Sequence, residues 1–169
     1  DYSGQSGHCH QSLTDGNGGS VFYDHSKPFG MSDTFRFYVG GLQKYLREFL
    51  AVTSPTINSY TRLVKGAWAP TAATWGADNR TTALRVIEGN AKSERVEFRV
   101  GSADANPYLV TAANLGAGLL GIREKIEPTA PMTGNAYDCT PSESVSFPSN
   151  LRDATQIFAA STAAREVFG

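Results

Sequence analysis

The stretch Ile57–Leu109 constrains this chain most. It carries arginines at 62, 80, 85, 95 and 99, together with Glu97, among short β-type runs broken by Asn and Gly turns. An arginine side chain is a rigid fork of donors that matches carboxylates and phosphates in pairs of hydrogen bonds. Five such forks on strands and tight turns suggest a pocket for a multiply anionic substrate. The plainer alternative is a set of solvated strand faces with ordinary surface charge.

The 169 residues fit one domain. A hydrophobic content of 40% is enough for a core and too high for disorder. The net charge of −1 provides no basic field, so a nucleic-acid partner is not expected. Cys9 and Cys139 make no disulfide framework. Cys9 stands between His8 and His10, which raises a metal site, but two lone cysteines are expected to be inert buried thiols. No apolar run reaches 18 residues, and no secretory signal is visible, so neither a membrane nor export is expected and the cytoplasm is the expected location. The chain begins at Asp1, almost directly on a strand-like motif, and a cut or processed protein is expected.

Alternation over Ser6–Leu13 predicts a strand with His8, His10 and Ser12 on one face. Thr14–Ser20 is a turn, and Val21–Tyr23 is a short returning strand. Ser32 or Asp33 caps a helix that runs to about Leu50, with Phe35, Val39, Leu42, Leu46 and Phe49 at helical spacing. Gly40-Gly41 weakens this helix unless a neighbour packs closely there. Residues 51–80 form a long irregular segment, and such loops are usually functional. Thr81–Ile87 and Arg95–Val100 read as strands joined at Gly89-Asn90. Arg95, Glu97 and Arg99 then share one face, which is odd for a core and plausible for a site. Asp104 or Asn106 starts a helix with Pro107 in its first turn, continuing to about Lys125. Residues 127–149 read as loop, and Leu151–Phe168 as a final amphipathic helix. Asn79 turns the chain or orients Arg80, and His25 is a surface residue.

Several motifs in order then carry a signature: Gly4–Leu13 (GQSGHCHQSL), Asn58–Gly66 (NSYTRLVKG), Ala69-Pro70, Asn79–Val86 (NRTTALRV), Arg95–Arg99 (RVEFR) and Ala105–Leu109 (ANPYL). On these residues the chain resembles the C-terminal part of the catalytic domain of glutamine synthetase, over almost its whole length. The resemblance implies a ligase that phosphorylates the γ-carboxyl of glutamate with ATP and lets an amine displace the phosphate. Two divalent metals and an arginine cluster neutralise the phosphoryl charge in this chemistry. His8 and Glu97 fall on the family's ligands to one ion, Mg²⁺ or Mn²⁺. His10 and Ser12 fall where the family contacts ATP, with Lys92 and Arg95 near the nucleotide. Arg62 and Arg99 match the arginines that hold glutamate. Arg80 and Arg85 match those that face the γ-phosphate and the acyl phosphate, and Gly4 matches a backbone close to glutamate. The implied fold is α+β, with antiparallel strands forming part of a barrel and helices outside. The implied assembly is a ring of copies, dodecameric in bacterial members.

Two departures from the family matter. Ammonia-using members carry a flap glutamate six residues after the position of Arg62; here that residue is Trp68, and Lys65 stands where proline is common. Tryptophan cannot take a proton from ammonium, but offers apolar surface and one N–H donor. An aromatic or alkyl amine, as in γ-glutamylanilide-type synthetases, is therefore expected, with Trp68 and Trp75 as a stacking wall; ordinary glutamine synthesis from ammonia is the alternative. The second departure is that residues 1–169 match only the C-terminal portion of the catalytic domain. The N-terminal β-grasp domain and the upstream catalytic half, which holds the other metal-ligand glutamates, are not in this stretch. One histidine and one glutamate cannot hold two metals, so these residues alone are expected to be inactive. The rival reading from another class is a non-catalytic structural or assembly fragment of the family.

Overall fold

The computed structural model describes residues 6–169. Its one sheet has four strands in the order β1 (Cys9–Gln11), β4 (Arg95–Phe98), β3 (Leu84–Ile87), β2 (Trp75–Ala77). β1 pairs antiparallel with β4, placing His10 opposite Glu97, and β3 pairs antiparallel with β4, placing Arg85 opposite Glu97. Period-two alternation sends Val96 and Phe98 into the core and leaves Arg95, Glu97 and Arg99 on the other face, as the charges predicted. The α+β class holds, but one strand pair departs from the antiparallel expectation: β2 runs parallel to β3.

Parallel neighbours usually need a crossover of a dozen residues or more. Here residues 78–83 suffice, because the return is tightly folded. Asp78 is left-handed at φ 46°. Asn79 Oδ1 accepts from the backbone N–H of Thr81 at 3.0 Å and from its hydroxyl at 2.6 Å, and the Thr82 hydroxyl donates to the Asn79 carbonyl at 2.8 Å. Thr81–Ala83 therefore belong to this return and not to the predicted strand, and Asn79 turns the chain. The hairpin expected over residues 6–23 reduces to a closed turn: Thr14 and Ser20 form one bridge, and Val21 N–H donates to Leu13. Phe22 is fully buried, stacked on Phe35 with ring centres 4.2 Å apart.

Helix α1 spans Asp33–Tyr45, and the Ser32 hydroxyl caps it by accepting from Phe35 N–H at 3.0 Å. It ends short of Leu50; turns over 46–49 lead to the one-turn α2 (Leu50–Thr53). A second single turn, α3 (Ser59–Arg62), and strand β2 fall inside the segment read as irregular. Helix α4 (Pro107–Glu124) begins at Asn106, whose Oδ1 accepts from Tyr108 and Leu109 N–H. It ends at Lys125, which is left-handed. The expected final helix is two, α5 (Leu151–Ala160) and α6 (Thr162–Phe168). Ser161 leaves the helical conformation between them, its hydroxyl accepts from Ala164 N–H, and it donates to the Glu48 carboxylate.

Against the sheet lie Tyr38, Val39 and Leu42 of α1, and α4 crosses α1 along a glycine seam. A Cβ at Gly41 would sit 2.2 Å from the Ala117 carbonyl oxygen and 2.5 Å from Gly121 Cα; one at Gly118 would meet the Tyr38 ring at 2.0 Å. Gly40-Gly41 thus occur mid-helix because a neighbour does pack there. Gly41→Ala improves helix propensity by about 1 kcal/mol. Its methyl meets backbone that cannot give way, and overpacking of that kind costs about 1–3 kcal/mol. The variant is expected to lower the urea midpoint of unfolding, whereas Gly16→Ala, with open space around its Cβ, does not.

Candidate active site

Glu97 is the centre of the charged face. It is 3% exposed, and four cationic or ionisable groups surround its carboxylate. Oε1 lies 2.9 Å from His8 Nδ1, 2.7 Å from Arg99 Nη1 and 3.7 Å from His10 Nε2; Oε2 lies 3.3 Å from Arg85 Nη1. The strand registers place these groups: β1 delivers His10, His8 stands just before β1, and β3 delivers Arg85. Burial alone would push the Glu97 carboxyl up. The nearby charges of Arg99 and His8, with the Arg85 hydrogen bond, outweigh burial and hold it below its ordinary range. Burial and the Arg99 charge push the His8 imidazole below its ordinary value, which favours the neutral ring that ligates metals.

Arg85 also donates to Asp78 Oδ1 at 2.8 Å, and its Nε, like that of Arg99, is buried with no partner among the described residues. Buried donors of this kind are groups that an anion entering the site would satisfy. Arg95 Nε donates to His10 Nδ1 at 3.2 Å and its Nη1 to the Ser93 carbonyl, so Arg95 and His10 are coupled. Arg62 stands apart from the carboxylate. Its Nη2 donates to the carbonyls of Val100 at 2.5 Å and Gly101 at 3.4 Å, just beyond Arg99. Arg80 is exposed at the tip of the 78–83 return, in a cleft of about 610 Å³ shared with Asp78, Asn79, Glu88 and Phe29. Ser12 and Lys92 are exposed. His8 and His10 open on a cleft of about 360 Å³ that reaches the N-terminal turns of α4. Gly4 lies outside the described residues.

Two expectations change. Trp75 is buried, and its indole N–H donates to the Thr129 carbonyl at 2.7 Å, so it offers no wall to a substrate. Trp68 is 87% exposed. Cys139 is exposed and Cys9 half-buried, so only Cys9 approaches an inert buried thiol; burial raises its pKa. His8 and Glu97 supply an imidazole and a carboxylate in contact, the right chemistry for part of a divalent-ion shell. Among the described residues no cluster of three or more His, Cys, Asp or Glu is placed to hold a metal ion. The pair fits an ion only with ligands from beyond the described residues.

Three residues at or beside the site escaped the sequence reading. Asp78 pairs with Arg85 through a turn whose shape the sequence did not announce. Tyr137 donates to the Trp68 carbonyl at 3.0 Å across 69 positions, a contact with no local signal. Glu94 had a signal: strand parity puts it on the core side with Val96 and Phe98. It is 2% exposed; Oε2 accepts from Gly89 N–H at 2.8 Å, and Oε1 has no partner.

The sequence matches the glutamine synthetase catalytic-domain family over residues 1–169. It is 46% identical to type-1 glutamine synthetase 2 of Dictyostelium discoideum over 100% of this chain and 33% of that protein. It is 40% identical to a glutamate–isopropylamine ligase of a Pseudomonas species, over 99% of this chain and 37% of that one. It is 42% identical to the gamma-glutamylethanolamide synthetase of Streptomyces coelicolor, over 98% and 34%. The solved structure of GmaS in complex with ADP superimposes with a TM-score of 0.84 at 34% identity, covering 96% of this chain and 38% of that one. The chain belongs to the glutamine synthetase family. It spans about a third of the length of the curated relatives it matches.

Two predictions follow from the buried carboxylates. Glu97→Gln leaves Arg99 without its counter-ion and Arg85 with Asp78 alone, and breaking a buried pair from one side costs about 3 kcal/mol. Chemical unfolding is expected to show that loss, well beyond the effect of Glu127→Gln at the exposed pair with Arg36. Burial, with Glu88 and Asp78 nearby, pushes Glu94 up to about 7, against the pull of the Gly89 N–H and Arg95. Below the unfolded value of 4.5, Glu94 is protonated in both states and costs nothing. Between 4.5 and 7 the unfolded chain ionises first, so stability falls as pH rises, by at most on the order of 3 kcal/mol. Melting temperatures at pH 5 and pH 8 are expected to differ less in Glu94→Gln than in the parent.

Proposed function

We propose that this chain forms part of the active site of an ATP-dependent ligase that joins the γ-carboxyl of glutamate to an amine, and that an aromatic or alkyl amine is preferred. The Glu97 hub carries the ligase reading. It presents two guanidinium groups with unused buried donors beside an imidazole–carboxylate pair, which suits a site where negative charge gathers on a transferring phosphoryl group. Support for the nucleotide comes from the likeness to GmaS in its ADP complex.

In this reading Arg85 and Arg80 face the γ-phosphate and the γ-glutamyl phosphate. Arg62 and Arg99 hold the glutamate carboxylates, beside the backbone of Gly4. His10, Ser12, Lys92 and Arg95 bind the nucleotide, with Arg85 at its phosphate end. His8 and Glu97 hold a Mg²⁺ or Mn²⁺ ion together with ligands from the upstream half of the catalytic domain. The ion, when bound, supplies positive charge against the phosphoryl oxygens. The chain is then the C-terminal portion of that domain in a protein that works as a homo-oligomeric ring in the cytoplasm. No helix among the described residues is long and apolar enough to cross a membrane.

The amine preference rests on Trp68, an exposed indole at the flap position where ammonia-using members carry a glutamate. Relatives named as isopropylamine and ethanolamide enzymes, at 40% and 42% identity, support it. Ordinary glutamine synthesis from ammonia is the second reading, favoured by the 46% identity to a protein named glutamine synthetase.

The deciding measurement is phosphate release by the intact enzyme with ATP, Mg²⁺, glutamate and a panel of ammonia, alkylamines and aniline. Turnover with alkylamines or aniline well above ammonia is expected. Trp68→Glu is expected to move the ratio of kcat/KM values toward ammonia by about tenfold, the scale on which an apolar pocket discriminates. A ratio that does not move removes Trp68 from substrate choice, and absence of turnover with every amine favours a non-catalytic assembly role.

A further inference from the structure

Trp68 is unusual in two ways at once. Its backbone is left-handed at φ 54°, a conformation that is an outlier for a bulky residue and costs about 1–2 kcal/mol. Its indole is 87% exposed, so burial of the ring does not offset that strain. Strain of this kind persists where the surroundings over-determine it, and it gathers at ligand-binding segments. The Tyr137 hydroxyl donates to the Trp68 carbonyl at 3.0 Å, and the next residue, Ala69, is anchored in the core, so the backbone is held on both counts.

Tyr137 is itself fixed. It sits in a one-turn 3-10 segment, Ala136–Asp138, that Asn135 caps by accepting from Tyr137 N–H at 3.1 Å. The Ala136 N–H donates to the Thr81 hydroxyl at 2.8 Å, which ties this segment to the 78–83 return. One short segment therefore joins the flap that carries Trp68 to the 78–83 return that carries Arg80.

We propose that Tyr137 is a positioning residue for amine choice: its O–H, bonded to the Trp68 carbonyl, holds the indole as one wall of the amine subsite. The inference rests on the reading of the chain as part of a glutamate–amine ligase. Tyr137 touches neither amine nor phosphate in this role; it acts through Trp68. Ammonia needs no apolar wall, so loss of the hydroxyl affects aromatic amines more than ammonia.

The test is Tyr137→Phe in the intact enzyme, which keeps the ring and removes only the donor. One neutral hydrogen bond corresponds to a change of about fivefold, so the kcat/KM ratio of aniline over ammonia is expected to fall by about that factor, through KM for the amine. In a Trp68→Ala background the same substitution is expected to leave the ratio where Trp68→Ala put it, because coupled residues are not additive. A ratio unmoved by Tyr137→Phe, or effects that simply add, overturns the proposal. A second measurement needs no turnover. The fluorescence of Trp68, taken as the difference between the parent and Trp68→Phe, is expected to lose anisotropy in Tyr137→Phe as the indole is freed. Unchanged anisotropy overturns the clamp even if the enzyme is a ligase. Lost anisotropy in a protein that ligates no amine shows that the clamp exists and that the ligase reading, with the role assigned to Tyr137, is wrong.

Discussion

A carboxylate that is nearly sealed from water keeps its charge only where positive groups surround it. Glu97 meets that condition through Arg85 on β3 and Arg99 just past β4, while the histidines at β1 close its other side. The arrangement fixes register as firmly as a core does. A one-residue slip of β1 would turn His8 and His10 away from Glu97 and carry Cys9 to the charged face. The strand alternation, the pairing order and the electrostatics of the face are thus one constraint seen three ways. The same constraint explains why the arginines are not surface decoration: Arg85 and Arg99 are mostly buried, each spends one arm on Glu97, and each keeps a buried Nε in reserve.

The helical layer obeys a different rule. Its closest approach is backbone against backbone at Gly41 and Gly121, with Gly118 making room for the Tyr38 ring. Tyr38 in turn donates to Gln11 Oε1 at 2.6 Å, and Gln11 belongs to β1. The glycine seam therefore sets how α1 lies over the sheet, and through Tyr38 it reaches the strand that carries the histidines. Packing and site geometry meet in that one phenol.

Much of this was legible in the chain of letters. The alternation of Arg95, Glu97 and Arg99 predicted their shared face, and the cap choices Ser32 or Asp33 and Asp104 or Asn106 bracketed both long-helix starts, at which Ser32 and Asn106 act. The glycine pair at 40–41 predicted a close neighbour. What the sequence hid was long-range or tightly folded. The 78–83 return brings β2 parallel to β3 through a left-handed Asp78 and an Asn79 side chain, and no periodic pattern signals such a turn. Trp75 is as apolar as Trp68 by composition, and only the fold shows that one is buried while the other faces solvent. Ser161 reads as a tolerable helix residue, yet its two hydrogen bonds divide the last helix.

The strand order also says how this chain assembles. β2, β3 and β4 follow one another between residues 75 and 98, so their pairing closes only short loops. β1 must find β4 across more than eighty residues, and α1 must find α4 across more than sixty. Contacts of that separation form slowly, because chain entropy is lost before they return any stabilisation. The segment with the shortest loops to close is the one bearing Arg80, Arg85 and Glu97. The histidines and the helical layer join it only through contacts of long sequence separation.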